Sequence, residues 1–430
     1  MHRRRSLQRG CRFALVAIAL AANLLIAASP GAQAAADRCS GAQQADSDPP
    51  INLTPVTLQV LQRAIEPVPA TDGLIHLAYV ALLTNTQASA ARIDGVVPVD
   101  PFTGFKSTGR NFVVDDDGRE ITGKIRQFDT SLIDGPSEGP GAATSPRLMA
   151  GRSGLMFFDV TYTNPAEIPA LLSHALTVAI PADGAGVAQI THPVPVSCRA
   201  PITLHPPLVG DGWWNANGCC AIVGPHRGAV LPINGDLRAA QQFAIDYVQI
   251  GPDGRCCDGP AGALRSWRFF GAPILAAAPG VVVEVVDGLP DQEPVGTVTG
   301  VDVTNAPGNN VIEAIGDGRF IAYGHIKSGS IPASIRKGAT LNAGDLIGSV
   351  GSSGNSTAPH LHFQVMQRPS FLDATGLPFV FDSQIVEGRV TSPVEDFETD
   401  SRPVSIDRTG AGPQQSRMPA AGQVFGFGQR

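Results

Sequence analysis

A short stretch of this 430-residue sequence carries two histidines separated by one residue. His360 and His362 alternate with the apolar residues Leu361 and Phe363. In a β-strand, side chains two residues apart point to the same face, so we expect the two imidazoles to lie together while their neighbours face the core. Neutral imidazole nitrogens bind metals and accept protons, so the pair suits a metal site or general-base catalysis.

Other residues that could complete such a site lie earlier in the chain. Asp246 ends the segment FAID, and His325 lies in the segment IAYGHI. Alternation would place Tyr323 and His325 on the same face of their strand. A lone pair of histidines with this spacing occurs by chance. Here, however, the pair is the last of several features in a specific order: an aspartate, small-residue strands, a Tyr-x-His pair, a Gly/Ser-rich turn and then His-Leu-His-Phe.

This arrangement resembles the lysostaphin-type zinc endopeptidases, which cut cell-wall peptidoglycan. The matching segments are FAID, GAPILAAAPGVV, IAYGHI and AGDLIGSVGSSGNSTAPHLHF, within residues 222–370. The resemblance implies a β-sheet peptidase domain, a Zn²⁺ cofactor and peptidoglycan peptides as the substrate. It also implies that Asp246 and His362 bind zinc, and that His325 and His360 act on the attacking water and the developing oxyanion.

One position departs from the family pattern. The family's first motif is His-x-x-x-Asp, but Gln242 stands four residues before Asp246, and glutamine is a poor zinc ligand. His226 is the candidate replacement, and Gln242 itself or His205 are the other possibilities. The alternative to an active enzyme is a degenerate domain that has lost its metal and binds wall peptide or regulates another wall hydrolase.

The case for His226 depends on strand register. Asn234-Gly235 between apolar runs is a hairpin signal. A two-residue turn there would place His226 opposite Phe243, and a three-residue loop would place it opposite Gln242. Residues opposite each other on paired strands have Cβ atoms about 5 Å apart, so His226 could reach the metal from the neighbouring strand.

The remainder of the chain predicts a second β-rich domain. Short apolar runs such as LIHLAYVALLTN and GLMFFDVTYTN recur before residue 205, separated by Gly, Pro, Asn and Asp. That spacing is typical of an antiparallel sandwich, and we predict an immunoglobulin-like one. The predicted fold class is all-β, with a linker at 35–50, the sandwich at 51–204, the lysostaphin-type domain at 205–398 and a polar tail at 399–430.

Residues 1–34 predict export. A basic start is followed by an uncharged apolar run at 13–28 and by the small-residue site Ala32-Gln33-Ala34, which is the layout of a signal peptide. The apolar run is shorter than the ~20 residues that span a bilayer, so we expect cleavage rather than a membrane anchor. The mature protein is then expected to be secreted or periplasmic, with no stable membrane insertion.

The net charge and the cysteines of the mature chain indicate its partners and its compartment. The sequence has 38 acidic and 31 basic residues, and the signal segment removes arginines but no acidic residue, so nucleic acid is not an expected partner. Six cysteines lie after the signal, and in an oxidising compartment they predict disulfides. We expect Cys39 to pair with Cys198, and Cys219-Cys220 to cross-link with Cys256-Cys257. A structural zinc site formed by the four clustered thiols is the alternative.

Overall fold

A computed structural model describes residues 53–101, 125–127, 144–145, 147–220, 224–392 and 402–428. The predicted signal peptide, the linker and Cys39 lie outside these residues. Regular structure in the described ranges is almost entirely β-strand, which confirms the all-β prediction. The helical segments there are α1 (Pro225–Gly228) and two 3₁₀ turns, Pro165–Glu167 and Leu264–Ser266. None of the described helices has the length and hydropathy that crossing a bilayer requires.

The N-terminal half folds as two antiparallel sheets with a common core. The first sheet has the order β1-β3-β8-β5-β6, with β2 also beside β3, and the second has the order β10-β9-β4-β7, with β11 also beside β9. The strands are β1 Val56–Val60, β2 Val68–Pro69, β3 Ile75–Asn85, β4 Ala91–Val99, β5 Ile125–Gln127, β6 Thr144–Ser145, β7 Arg147–Leu148, β8 Ser153–Tyr162, β9 Leu171–Ala179, β10 Gly186–Ile190 and β11 Val194–Pro195. We call this half the sandwich; its immunoglobulin-like type stays a prediction.

One strand of the sandwich is buried on both faces. Leu77 and Tyr79 of β3 face the core of the sandwich, whereas Ala78 and Val80 pack against residues of the C-terminal half. This explains why β3 reads as a nearly continuous apolar run instead of an alternating one, since a strand covered on both sides exposes no polar face.

The C-terminal half is built on one large sheet. Its strands run in the order β21-β18-β19-β20-β23-β16-β13-β29-β26-β27, with β24 also beside β23 and β28 also beside β26. The strands of this half are β12 Ile202–Leu204, β13 Gly210–Asn215, β14 Leu231–Ile233, β15 Asp236–Arg238, β16 Ile245–Gln249, β17 Pro273–Leu275, β18 Gly280–Val286, β19 Asn309–Ala314, β20 Phe320–Ile326, β21 Thr340–Leu341, β22 Leu346–Ser349, β23 Leu361–Met366, β24 Gly376–Leu377, β25 Phe379–Phe381, β26 Gln384–Val390, β27 Ile406–Asp407, β28 Gly412–Gln414 and β29 Gln423–Phe427.

The segment predicted to be a C-terminal tail is part of this sheet where it is described. β29 lies between β13 and β26, and its residues Val424, Phe425 and Phe427 are buried in the main core. The tail prediction is therefore wrong for β29. The strand has only five residues, QVFGF, and it follows a polar segment rich in Gly and Pro. That composition is why the sequence did not indicate a strand here.

The cysteine pairing also differs from the prediction. Cys219 is bonded to its neighbour Cys220, so neither the predicted cross-links nor a four-thiol zinc site is formed. The two pairs lie in different apolar clusters: Cys256 and Cys257 belong to the main core, and Cys219 and Cys220 pack against the sandwich. Cys198 is disulfide-bonded, and its predicted partner Cys39 lies outside the described residues.

Candidate metal centre

Two neighbouring strands place Asp246 and His362 directly opposite each other. β16 and β23 are antiparallel, and Asp246 is the register partner of His362. The flanking residues Leu361 and Phe363 point to the other face and are fully buried in the core, as the alternation predicts. His362 Nδ1 lies 3.1 Å from Asp246 Oδ1.

His226 reaches the same carboxylate from a different element. The Asn234-Gly235 turn has two residues, because Ile233 pairs with Asp236, but the paired strands extend no further than Leu231 and Arg238. His226 therefore lies opposite neither Gln242 nor Phe243, and the register argument is wrong. It lies instead in α1, whose first residue, Pro225, is pre-organised for a helix start.

The short helix brings His226 into a compact group of potential ligands. Its Nε2 lies 3.1 Å from Asp246 Oδ2, and its ring centroid is 4.8 Å from that of His362. One ligand atom from each of His226, Asp246 and His362 lies within 4.8 Å of the other two, and all three residues are buried.

His325 joins the group because of a bulge in β20. On the partner strand β19, Asn309 pairs with Ile326 and Val311 with Tyr323, so Asn310 alone faces two residues of β20. His325 has a φ of +56°, and the extra residue breaks the alternation. Tyr323 consequently faces the core, contrary to the prediction that it shares a face with His325.

The Gly/Ser turn region supports His325 from behind. The Ser353 carbonyl accepts a hydrogen bond of 2.7 Å from His325 Nδ1. Gly308, with a φ of +66°, passes so close that a Cβ there would lie 2.3 Å from this same oxygen. Only glycine fits this approach, so the turn fixes the orientation of the imidazole.

His360 completes the ring of imidazoles around Asp246. It is half-buried, and its Nε2 lies 3.4 Å from Asp246 Oδ1. Its ring centroid is 4.5 Å from that of His325. The structure thus brings together all five residues that the sequence analysis selected: His226, Asp246, His325, His360 and His362.

The four imidazoles share one hydrogen-bonding pattern. Each bonds a fixed acceptor outside the group through one ring nitrogen, and a carbonyl oxygen can only accept, so that nitrogen carries the hydrogen. Each imidazole therefore has its second ring nitrogen left for contacts inside the group. The outer contacts are His226 Nδ1 to Ala244 O, His325 Nδ1 to Ser353 O, His360 Nδ1 to Ala358 O and His362 Nε2 to Gln364 Oε1.

Burial and neighbouring charges set the protonation of two residues. Burial alone would raise the pKa of the Asp246 carboxyl, but His226 and His360 outweigh it and hold that pKa well below its ordinary value. Burial lowers the pKa of His325 well below its ordinary value, and His360 and His362 lower it further. At neutral pH the group therefore holds an ionised carboxylate and a neutral His325.

Two residues that the sequence analysis missed contact the group. Asn217 donates a hydrogen bond of 2.9 Å from Nδ2 to Asp246 Oδ2, and Gln364 accepts one of 2.9 Å from His362 Nε2. Alternation could have indicated Gln364, which is two residues after His362. Nothing in the segment WWNANG indicates Asn217.

The two other ligand candidates lie elsewhere. Gln242 directs its side-chain amide to the sandwich, donating from Nε2 to the Ala78 carbonyl over 2.6 Å. His205 is half-buried, and its Nδ1 lies 2.7 Å from Asp382. Neither belongs to the group around Asp246.

The sequence of the C-terminal half matches a known family. Residues 268–374 match the family model described as Peptidase family M23, so the chain contains a domain of that family. The matched residues include His325, His360 and His362 but begin after His226 and Asp246.

Two solved catalytic domains match part of the chain. The catalytic domain of the prophage-encoded M23 protein EnpA from Enterococcus faecalis is 22% identical, with 40% of this chain and 92% of that chain covered and a TM-score of 0.23. The catalytic domain of lysostaphin from Staphylococcus simulans is 23% identical, with 39% and 88% covered and a TM-score of 0.21.

Proposed function

We propose that this chain is a zinc-dependent metalloendopeptidase of the cell envelope that hydrolyses peptide bonds in peptidoglycan. The observation that carries the proposal is the orientation of the four imidazoles. All four donate outward through one ring nitrogen, and the second nitrogens of His226, His360 and His362 lie 3.1–3.4 Å from the ionised Asp246 carboxylate. In the neutral imidazole this inner nitrogen carries a lone pair, so the histidines and the carboxylate together offer a converging set of ligand atoms for a metal cation.

The donor set fits zinc. His226 through Nε2, His362 through Nδ1 and the Asp246 carboxylate would hold the ion, and a fourth position would remain open, as in catalytic zinc sites. The outward hydrogen bonds of the two histidines fix their tautomers, as partners of zinc-binding histidines usually do. When bound, zinc lowers the pKa of water and polarises the carbonyl of the scissile bond.

His325 and His360 would move the protons. Hydrolysis adds water across the peptide bond: a carbon–oxygen bond forms, the carbon–nitrogen bond breaks, and a proton passes from the water to the leaving amine. Nε2 of the neutral His325 can accept that proton, and the ring of His360 lies beside it, with the two ring centroids 4.5 Å apart. The protonated imidazole can then donate to the amine.

The substrate and location follow from the family and the N-terminal segment. Peptidoglycan peptides are the substrate class that the lysostaphin-type resemblance implies. Residues 1–34 would direct export, so the enzyme would meet its substrate as a secreted or periplasmic protein.

A second candidate is a metal-free domain that binds wall peptide without cutting it. It is favoured by one observation, the glutamine at position 242 where the family has a histidine ligand. Purified mature protein should be incubated with isolated peptidoglycan, and the release of new amino groups measured with and without a chelator. We expect release that the chelator abolishes and zinc restores, and none from His362→Ala. Binding to peptidoglycan without release by the wild-type protein would favour the second candidate.

A further inference from the structure

We infer that the sandwich is a structural part of the metal centre, because its strands β3 and β8 hold His226 in place through Gln242 and Arg227. The inference rests on the proposed function in taking His226 as a zinc ligand. It gives Gln242 and Arg227 positioning roles and gives the sandwich a task beyond that of an accessory module.

β3 has a gap in its hydrogen-bonding ladder that Gln242 fills. β8 pairs along one edge of β3, so β1 and β2 share the other edge. β1 pairs with the part of β3 that begins at Ala81, and β2 pairs with the part that ends at His76. Ala78 lies between these two parts and has no partner among the described strands on this edge. Gln242 Nε2 donates to the Ala78 carbonyl over 2.6 Å, and thus takes the place of a strand.

The other half of the Gln242 amide is bonded to the sandwich too. Gln62 Nε2 donates to Gln242 Oε1, and Gln62 Oε1 accepts a hydrogen bond of 3.2 Å from the Val80 N–H. Gln242 is fully buried, with 0% exposure. A buried amide that lost both partners would leave its polar groups desolvated and unpaired, which is unfavourable. Both polar groups of the Gln242 side chain are therefore used in the contact with the sandwich.

This anchor lies next to the support of His226. Gln242 stands two residues before Ala244, whose carbonyl accepts the hydrogen bond of 3.1 Å from His226 Nδ1. That bond fixes which nitrogen of His226 faces Asp246 and how the ring is turned. Holding Gln242 on β3 therefore holds the carbonyl that orients His226.

Arg227 ties the helix itself to the sandwich. It follows His226 directly, is 1% exposed, and donates from Nη2 to the Phe158 carbonyl of β8 over 2.9 Å. Its Nη1 contacts the Cys220 carbonyl. α1 has four residues and belongs to no sheet, so these bonds supply the rigidity that His362 obtains from the middle of its sheet.

Apolar contacts seal the same interface. Two buried clusters contain residues of both halves of the chain, so the polar anchors are shielded from water. The first comprises Val68, Ala70, Ala78, Cys219, Cys220, Phe243, Val380, Met418 and Ala420, and the second comprises Val80, Leu155, Phe157, Val230 and Ala239. Hydrogen bonds in such a setting are stronger than in water, and loosening them should displace His226.

The test uses the full-length mature protein with Gln242→Met and Gln62→Met. Both substitutions keep an unbranched side chain of similar size and remove the amide. The matched control is Gln249→Met, since Gln249 lies on β16 like Asp246 but bonds the Asp211 carbonyl within the C-terminal half. Zinc affinity is measured by competition with a chelator, the ligand field by the absorption spectrum of the Co²⁺ form, and local opening by hydrogen exchange at 225–228 and 239–244 in the metal-free protein.

We expect Gln242→Met and Gln62→Met to weaken zinc binding by roughly 10–100-fold, the usual effect of losing an outer support of a metal ligand. The Co²⁺ spectrum should change and exchange should rise in both segments, while Gln249→Met matches the wild type in all three. If Gln242→Met does not fold, Gln62→Met, whose side chain is half-buried, decides the matter alone. Wild-type affinity, spectrum and exchange in a folded variant would overturn the inference. A wild-type protein that takes up no zinc would refute the proposed function, and this inference with it.

Discussion

His226 Nε2 lies 3.1 Å from Asp246 Oδ2, although one residue belongs to a four-residue helix and the other to the central sheet. The family motif would place a histidine four residues before the aspartate, on the same segment of chain. In this protein that position holds Gln242, which bonds the sandwich instead. In the proposed zinc site, the third ligand would thus come from an element that the family motif does not contain.

Substituting His325 or His360 should separate catalysis from metal binding. The three residues of this site whose ligand atoms lie close enough to share a metal ion are His226, Asp246 and His362. His325 and His360 are not among them, so His325→Ala and His360→Ala should retain zinc. Loss of a general acid or base should lower turnover by roughly 10²–10⁴-fold. The check is peptidoglycan hydrolysis measured beside the zinc content of the same samples. Loss of zinc from either variant would show that the assignment of roles is wrong.

Gln364 should support His362 from outside. Gln364→Leu removes the acceptor of His362 Nε2–H, whereas Gln364→Glu keeps an acceptor at the same position. We expect the leucine variant to bind zinc roughly 10–100-fold more weakly and the glutamate variant to retain much of the affinity. Chelator competition measures both. Equal affinity of the leucine variant and the wild type would rule out a contribution from Gln364.

The alternation of side chains along strands and the order of the motifs made most of the site predictable from the sequence. Alternation correctly put His360 and His362 on one face, and the order of the segments selected Asp246 and His325. The alternation rule gave the wrong result where a strand is irregular, because the bulge at His325 turns Tyr323 to the core. His226 was selected for a register that does not exist, since a short helix after Gly224 carries it. Asn217 contacts the site only because β13 ends beside β16, which no local pattern reveals.

The domain arrangement was less predictable than the site. The apolar runs of the sandwich and of the sheet were visible, but the burial of β3 on both faces depends on contacts distant in sequence. The same holds for β29, which enters the sheet between strands from two separate parts of the chain.

A buried glutamate should make stability depend on pH. Burial raises the pKa of Glu313 to about 7, and a hydrogen bond from the Tyr323 hydroxyl opposes the rise only partly. The folded chain then holds this proton from about pH 4.5 to pH 7 while the unfolded chain does not, so the free energy of unfolding falls as pH rises through this range. A shift of this size corresponds to about 3 kcal/mol.

Glu313→Gln should remove that dependence and keep the hydrogen bond to Tyr323. Denaturant unfolding at pH 4.5 and pH 8 is the measurement, because about pH 4.5–8 brackets the titration of the buried group. Relative to the wild type, the variant should gain stability at the higher pH. A wild-type protein and variant with parallel pH profiles would mean that Glu313 does not retain its proton on folding.

The adjacent cysteines should be joined to each other. Non-reducing proteolysis followed by mass spectrometry should yield one peptide containing Cys219 and Cys220 that is lighter by two hydrogens than its reduced form. A peptide from this region linked to one containing Cys256 or Cys257 would instead restore the pairing expected from the sequence.

The central claim is that His226, Asp246 and His362 together hold zinc, and the zinc content of His226→Ala tests it most directly. Wild-type protein and the variants His226→Ala, His362→Ala and His205→Ala are loaded with zinc, desalted and subjected to elemental analysis. His205 serves as the control histidine because it bonds Asp382 away from the site. The wild type and His205→Ala should retain about one zinc per chain, and the other two variants almost none, since two protein ligands rarely hold zinc. Full zinc retention by His226→Ala, or none by the wild type, would contradict the account.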